Sequence, residues 1–311
     1  NQDYYRYFKN KDWQDEAFER GFVNNMYLGV TGGDNIATYA LSVGASTQDG
    51  VIQGTDYRRY SMRFNSDVNI SEKTTLSSNV YFANSERNLF DEGVSPYSNP
   101  LYTSLVKAPF MSSKVYNNLN IETPKTEPVD VLGFTNPYAL FDDTEGVQES
   151  YHLLGSFTLN YDFNDYFRLN GTLGLDFNKN RQKKFLPQLG VYHEPSLNPE
   201  RDIRNETHRK VERMFSYYSD IRLNFNRTYQ NKHKVSAVLG VRYNNSRFED
   251  DFFLRYNTSN DLMKNESGDA LLVEKGGSIG NWTNLAYYLN ADYSLKGRYF
   301  LSLNMALDGS S

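Results

Sequence analysis

The chain has no cysteine, two tryptophans among 311 residues and only four histidines. The first absence removes disulfides and cysteine-ligated metals. No run approaches the roughly 20 apolar residues that a spanning helix requires. That excludes a helical membrane protein but leaves strands open, since a spanning strand needs about 9–11 residues and shows every second one to lipid. Lys and Arg are dispersed and the formal net charge is -5, so the basic stripe of a nucleic-acid binder is missing. No phosphate loop, dinucleotide fingerprint or H-E-x-x-H spacing occurs. His152, His193, His208 and His233 are scattered. No catalytic residue, metal site or cofactor is therefore expected, and the chain is not read as an enzyme. Asn1-Gln2-Asp3 carries neither initiator Met nor signal peptide. Asp308-Gly309-Ser310-Ser311 follows directly on a strand pattern. Both ends are expected to continue in a longer polypeptide.

What the chain does have is 25 Tyr, 20 Phe and a persistent alternation. Phe157, Leu159, Tyr161 and Phe163 share one side of a run, with Thr158, Asn160 and Asp162 on the other. The pattern restarts after Asn164-Asp165 with Phe167, Leu169, Leu173, Leu175 and Phe177 against Arg168, Asn170, Thr172, Asp176 and Asn178. A period of two sends successive side chains to opposite faces of a strand. One face suits hydrocarbon and the other suits water. Ten such runs are expected, at about 24–31, 37–47, 57–70, 74–85, two within 149–180, then 211–226, 233–248, 282–293 and 298–307. A short helix is expected around 13–20. Tight turns, including Gly32-Gly33-Asp34-Asn35, join the runs in pairs. Longer connections separate most pairs, at about 86–148, 181–210 and 249–280. The first holds Pro96, Pro100, Pro109, Pro124, Pro128 and Pro137, six of the nine prolines. Gly276-Gly277 reads as a further turn. Short turns on one rim and long loops on the other are the habit of outer-membrane barrels. The fold class expected is therefore all-β, an antiparallel transmembrane β-barrel wall, with residues 1–311 forming one partial barrel.

Several segments, in order, resemble SusC/RagA-type TonB-dependent outer-membrane transporters. They are Asp12-Trp13-Gln14-Asp15-Glu16 with Gly21-Phe22, Leu28-Gly29-Val30-Thr31-Gly32-Gly33, Tyr39-Ala40-Leu41-Ser42-Val43-Gly44 with Gln48-Asp49-Gly50-Val51-Ile52, Gly54-Thr55-Asp56-Tyr57-Arg58-Arg59-Tyr60-Ser61, and Arg298-Tyr299-Phe300-Leu301-Ser302. The resemblance implies about ten strands of a barrel of about 22, with a plug and the remaining strands outside this sequence. It implies residence in the bacterial outer membrane, in contact with its lipid, and energy from the TonB complex through the missing N-terminal region. It implies a SusD-like surface lipoprotein as partner and nutrient uptake of oligosaccharides, with oligopeptides second. A surface binding or adhesion barrel without transport is the alternative.

Arg168, Asn170, Asp176, Arg222, Asn224, Arg242, Asn290, Asp292 and Asn304 alternate with lipid-suited residues and are expected to face the lumen, most simply as a hydrated wall. The first long loop is crowded with aromatics. Phe90, Tyr97, Tyr102, Tyr116 and Tyr138 are the ligand-binding candidates, in company with Phe110, Phe134 and Phe141, because rings offer contact area and a stacking face. Loop packing or docking of the lipoprotein is the competing role for them. Carboxylates gather at Asp142-Asp143 and Glu249-Asp250-Asp251 without EF-hand spacing, and solvated loop charge is the expected reading.

Overall fold

The computed structural model describes residues 7–91, 97–193, 202–264 and 270–311. Asn1–Asp3 therefore lie outside the described residues. Ten strands form one antiparallel sheet: β1 (Val23–Gly33), β2 (Ala37–Asp49), β3 (Asp56–Ser71), β4 (Thr74–Asn88), β7 (Glu145–Asp162), β8 (Phe167–Leu186), β9 (Glu206–Tyr229), β10 (His233–Thr258), β11 (Ala270–Leu295) and β12 (Tyr299–Ser310). Each pairs with its neighbours in the chain, and only the loop hairpin β5 (Lys114–Tyr116) and β6 (Glu122–Thr126) interrupts the sequence. The sheet is open, with β1 and β12 each paired on one side.

Among the described residues no second layer covers the apolar face. Leu173 is 60% exposed, Leu239 59% and Leu303 50%, the reverse of a water-soluble sandwich. From Leu153 to Phe163 the outward face of β7 is apolar apart from Gly155. At about 3.4 Å per residue and a tilt near 45°, such a stretch rises about 25 Å, the height of a barrel's apolar band. Rings gather at its lower edge. Phe167 and Phe225 lie 4.8 Å apart, and Arg227 sits over Tyr166 and Tyr229 at 4.3 and 4.6 Å. No described helix is long and apolar enough to cross a membrane.

The five expected tight turns all form on one rim. Asp34 closes the first, its carboxylate accepting from the backbone N–H groups of Ile36 and Ala37 at 2.8 and 2.9 Å. Those two donors hold its pKa below the usual value. Asn164 does the same for Tyr166 and Phe167. Gln230-Asn231 and Lys296-Gly297 both have positive φ at the two central residues, the twist a two-residue hairpin requires.

On the other rim the strands outrun the expectation. β10 and β11 each have 26 residues, so the connections shrink to 89–144, 187–205 and 259–269. Above the apolar band both faces carry charge. On the outward side Arg213 and Arg247 meet Glu249 at 3.7 and 2.6 Å, and Arg181 meets Glu149 at 3.8 Å. Two-sided polarity erases the alternation while pairing continues. Glu249-Asp250-Asp251 consequently lie within β10 rather than in a loop, and alternate sides send Asp250 away from its neighbours. Gly276-Gly277 is no turn either. It sits in β11 opposite Phe252 and Asp251, where a Cβ on Gly276 would strike the Phe252 ring. The early helix α1 (Trp13–Ala17) is shorter than expected, and Phe18 is already extended.

The long connection is folded. It contains α2 (Pro100–Val106), the β5–β6 hairpin and a wide helical turn at Ala139–Asp143. Ala139, Leu140, Leu186 and Val191 form a small apolar core. Asn136 is buried and donates to the carbonyls of Ser113 and Glu127 at 2.8 and 2.9 Å. Lys107 is buried against Asp130 and also donates to the Phe134 carbonyl at 3.0 Å. Threads run onward to the other loops. Thr135 links the Tyr97 carbonyl and the Tyr192 N–H at 2.8 and 2.9 Å. Asp261 accepts from Gln188 N, Leu189 N and Asn205 Nδ2 at 2.8, 3.0 and 3.0 Å.

Candidate functional site: the inner wall and its outer mouth

Register assigns the faces without reference to burial. Directly opposed residues share a side, so a chain of pairs can be followed from strand to strand. Asn160 faces Asn170, Asn170 faces Arg222, Arg222 faces Gly240, Gly240 faces Tyr288 and Tyr288 faces Ala306. Arg168, Asn170, Asp176, Arg222, Asn224, Arg242, Asn290, Asp292 and Asn304 all fall on this one face, opposite the exposed apolar band.

Hydrogen bonds run across strands along that face. Thr75 accepts from Asn160, which accepts from Asn170, which accepts from Asn224. Arg168 grips Asp162 with two bonds, at 2.5 and 2.9 Å. Asp176 lies 3.1 Å from His152 and accepts from Asn178 at 3.0 Å. Arg242 meets Asp220 at 3.2 Å, and the Tyr288 hydroxyl donates to the same carboxylate at 2.9 Å. Asp292 accepts from Ser302 at 2.5 Å. Arg222 and Asn290 stand in the same rows by register. Asp220, only 3% exposed, and Tyr288 are the residues that reading the sequence missed. Their parity was readable, but their meeting at Arg242 depends on register across three strands.

The loop aromatics do not form one platform. Tyr97 stacks on Tyr192 with centroids 4.6 Å apart, and Phe90 meets Phe141 edge-on at 6.0 Å. Tyr116 sits under the Lys9 ammonium at 3.5 Å and donates its hydroxyl to Glu122 at 3.0 Å. Tyr138 lies under Lys114 at 4.7 Å. A bond from its hydroxyl toward Asp142 is the main cause that raises its pKa. Tyr102 is in α2, its N–H capped by Asn99 at 3.0 Å. Phe110 is 44% exposed, and the Phe134 N–H binds Asp130 at 3.2 Å. Asp143 accepts from Thr126 at 2.8 Å.

Of the five candidates, Phe90 borders the polar face of the sheet. There it joins Arg87, Lys184, His208, Lys210 and Phe252 around a recess of about 670 Å³. Its cations are largely balanced. Lys184 pairs with Asp91, Lys210 with Glu212 at 2.6 Å, and His208 with Glu206 at 3.0 Å. Burial pushes the Glu206 carboxyl up, but His208 and Lys184 outweigh it and the net displacement is downward. Among the described residues no three His, Asp or Glu side chains gather as a metal site requires.

No family model matches the chain. It is 24% identical over 312 residues to TonB-dependent receptor P3 of Formosa agariphila, covering 97% of this chain and 30% of that protein. It is 22% identical over 326 residues to TonB-dependent receptor SusC of Bacteroides thetaiotaomicron, again covering 97% and 30%. Among solved structures it is similar to the RagAB peptide importer in its closed-closed state, with a TM-score of 0.74, 16% identity, and coverage of 97% of this chain and 33% of that one. The chain thus spans about 30% of the length of the curated relatives it matches. Matched along nearly its whole length by named relatives and by a shared fold, the chain is similar to a stretch of the β-barrel wall of SusC-type TonB-dependent receptors.

Proposed function

We propose that this chain supplies part of the wall and outer loops of a TonB-dependent importer in the bacterial outer membrane, and that residues 1–311 act as one partial barrel. The observation that carries this reading is the division of one continuous sheet into an apolar outer face and a hydrogen-bonded polar inner face. The polar face lines the lumen, and Arg168, Asn170, Asp176, Arg222, Asn224, Arg242, Asn290 and Asp292 form a hydrated wall there. The protein's cargo is oligosaccharide, with oligopeptide second. The peptide importer among the similar folds is what favours the second. Phe90 touches cargo at the mouth, while Tyr97, Tyr102, Tyr116 and Tyr138 serve chiefly to hold the loops in shape. A SusD-like lipoprotein covers the loops, and the TonB complex acts through sequence outside this chain. The wall itself is non-catalytic.

Deleting the parent gene is expected to abolish uptake of a fluorescent oligosaccharide or oligopeptide. A tagged full-length protein, extracted in detergent, is expected to bring down a surface lipoprotein. Unchanged uptake of every oligomer tried, with binding retained at the cell surface, favours the adhesion barrel and overturns transport.

A further inference from the structure

Arg59 and Arg63 lie on the inner face of β3, with Ser61 between them. Four residues along a strand is about 13 Å. The residues beside them across the sheet are mostly small. Ser46 and Ser85 flank Arg59, Gly44 and Ala83 flank Ser61, and Ser42 and Tyr81 flank Arg63. The result is a recess of about 550 Å³ between Tyr27, Tyr57 and Tyr81. Tyr81 serves both arginines. Its hydroxyl is bonded to Arg59, and its ring lies 5.3 Å from the Arg63 guanidinium. Both arginines are exposed. Arg168, Arg242, Lys184 and Lys210 on the same wall each hold a carboxylate. Among the described residues, Arg59 and Arg63 hold none.

We infer that this recess binds an acidic oligosaccharide, taking its carboxylate or sulfate groups on Arg59 and Arg63. The inference rests on the importer reading and names the cargo's chemistry. The guanidinium fork matches planar and tetrahedral oxyanions with paired N–H bonds. Ser42, Ser46, Ser61 and the tyrosyl hydroxyls supply the neutral partners that a polyhydroxylated chain needs. An extended peptide would seek a free strand edge, and β2, β3 and β4 are paired on both edges. The site is also well placed for capture. Asp56 begins β3 at the loop rim, so Arg59 stands close below the outer mouth.

The test uses the full-length transporter in detergent and calorimetric titration with four probes: trigalacturonate, its neutral methyl ester, a sulfated galactan trisaccharide and hexa-aspartate. At least one acidic sugar is expected to bind about tenfold more tightly than the ester, a preference that weakens with salt. The galacturonate and galactan arms tell carboxylate from sulfate. Arg59→Gln with Arg63→Gln is expected to remove the preference, and each single variant to reduce it. Lys179→Gln, on the outward face, is expected to preserve it. Equal affinity for both acidic sugars and the ester, a preference that survives the double variant, or tightest binding of hexa-aspartate would overturn the inference. Oligomer uptake in cells separates the two readings. If uptake depends on the gene but no acidic preference is found, the importer stands and the acidic-sugar site falls.

Discussion

Tyr288 lies across Gly240 on the neighbouring strand, so close that a Cβ on Gly240 would collide with the phenol ring. The ring thereby reaches Asp220, one strand further, and shares it with Arg242. Glycine is required here by close approach, not by backbone conformation. Gly240→Val is expected to expel the ring and cost about 1–3 kcal/mol through overpacking. The readout is a lower temperature for the heat-induced mobility shift of the full-length barrel on gels. Gly171→Ala serves as the control, since a Cβ there meets nothing within 4 Å.

The two faces make opposite demands. Leu159→Arg puts a charge on the apolar band and is expected to cost about 2–4 kcal/mol if it lies near the midplane. Ser156→Arg, on the inner face, is expected to cost far less. Denaturant titration of the folded barrel in lipid vesicles compares them directly. Equal costs would deny that the outward face meets hydrocarbon.

Trp13 anchors the opening segment to the first loop. Its indole Nε1 donates to the Ala108 carbonyl at 2.9 Å, and it is only 3% exposed. Trp13→Ala is expected to cost about 3–5 kcal/mol locally. Faster limited proteolysis within 7–22 should report it, with the strand core still protected.

Asp261 receives two backbone donors from the second loop and one from Asn205. Asp261→Ala deprives all three. Charged hydrogen bonds contribute about 1.5–3 kcal/mol each, so hydrogen exchange at Gln188 and Leu189 is expected to accelerate by at least about tenfold. Exchange in the hairpins of the opposite rim should not change.

Glu145 ties the third loop to the wall, meeting Lys264 at 3.1 Å and Lys183 at 3.2 Å. Burial pushes its pKa up, but the two ammoniums outweigh that and leave it below the ordinary value of 4.5. A depressed folded pKa means stabilisation that is present above the unfolded value and lost as pH falls through the folded one. The tether is therefore expected to hold at neutral pH and to release only as the pH falls below the ordinary glutamate range. Fluorescence from a dye placed on loop three should show this release, and Glu145→Gln should abolish its pH dependence.

The strands were legible wherever one face is apolar and the other polar, as from Leu153 to Phe163. They became illegible at Arg209-Lys210-Val211-Glu212-Arg213, where charge appears on both faces while the backbone continues to pair. Gly276-Gly277 misled because glycine marks both turns and close approaches, and only the position of the Phe252 ring distinguishes them. The fold of the first loop was hidden for another reason. Its buried anchors, Thr135 and Asn136, take partners in segments far off in the sequence, which no local pattern discloses.

A sheet whose strands pair only with their chain neighbours stores its register locally. Each hairpin closes around its own tight turn, so correct alignment propagates from one rim without a distant segment having to be found first. A protease nick in one of the outer connections would then sever the chain yet leave every rung of the ladder in place.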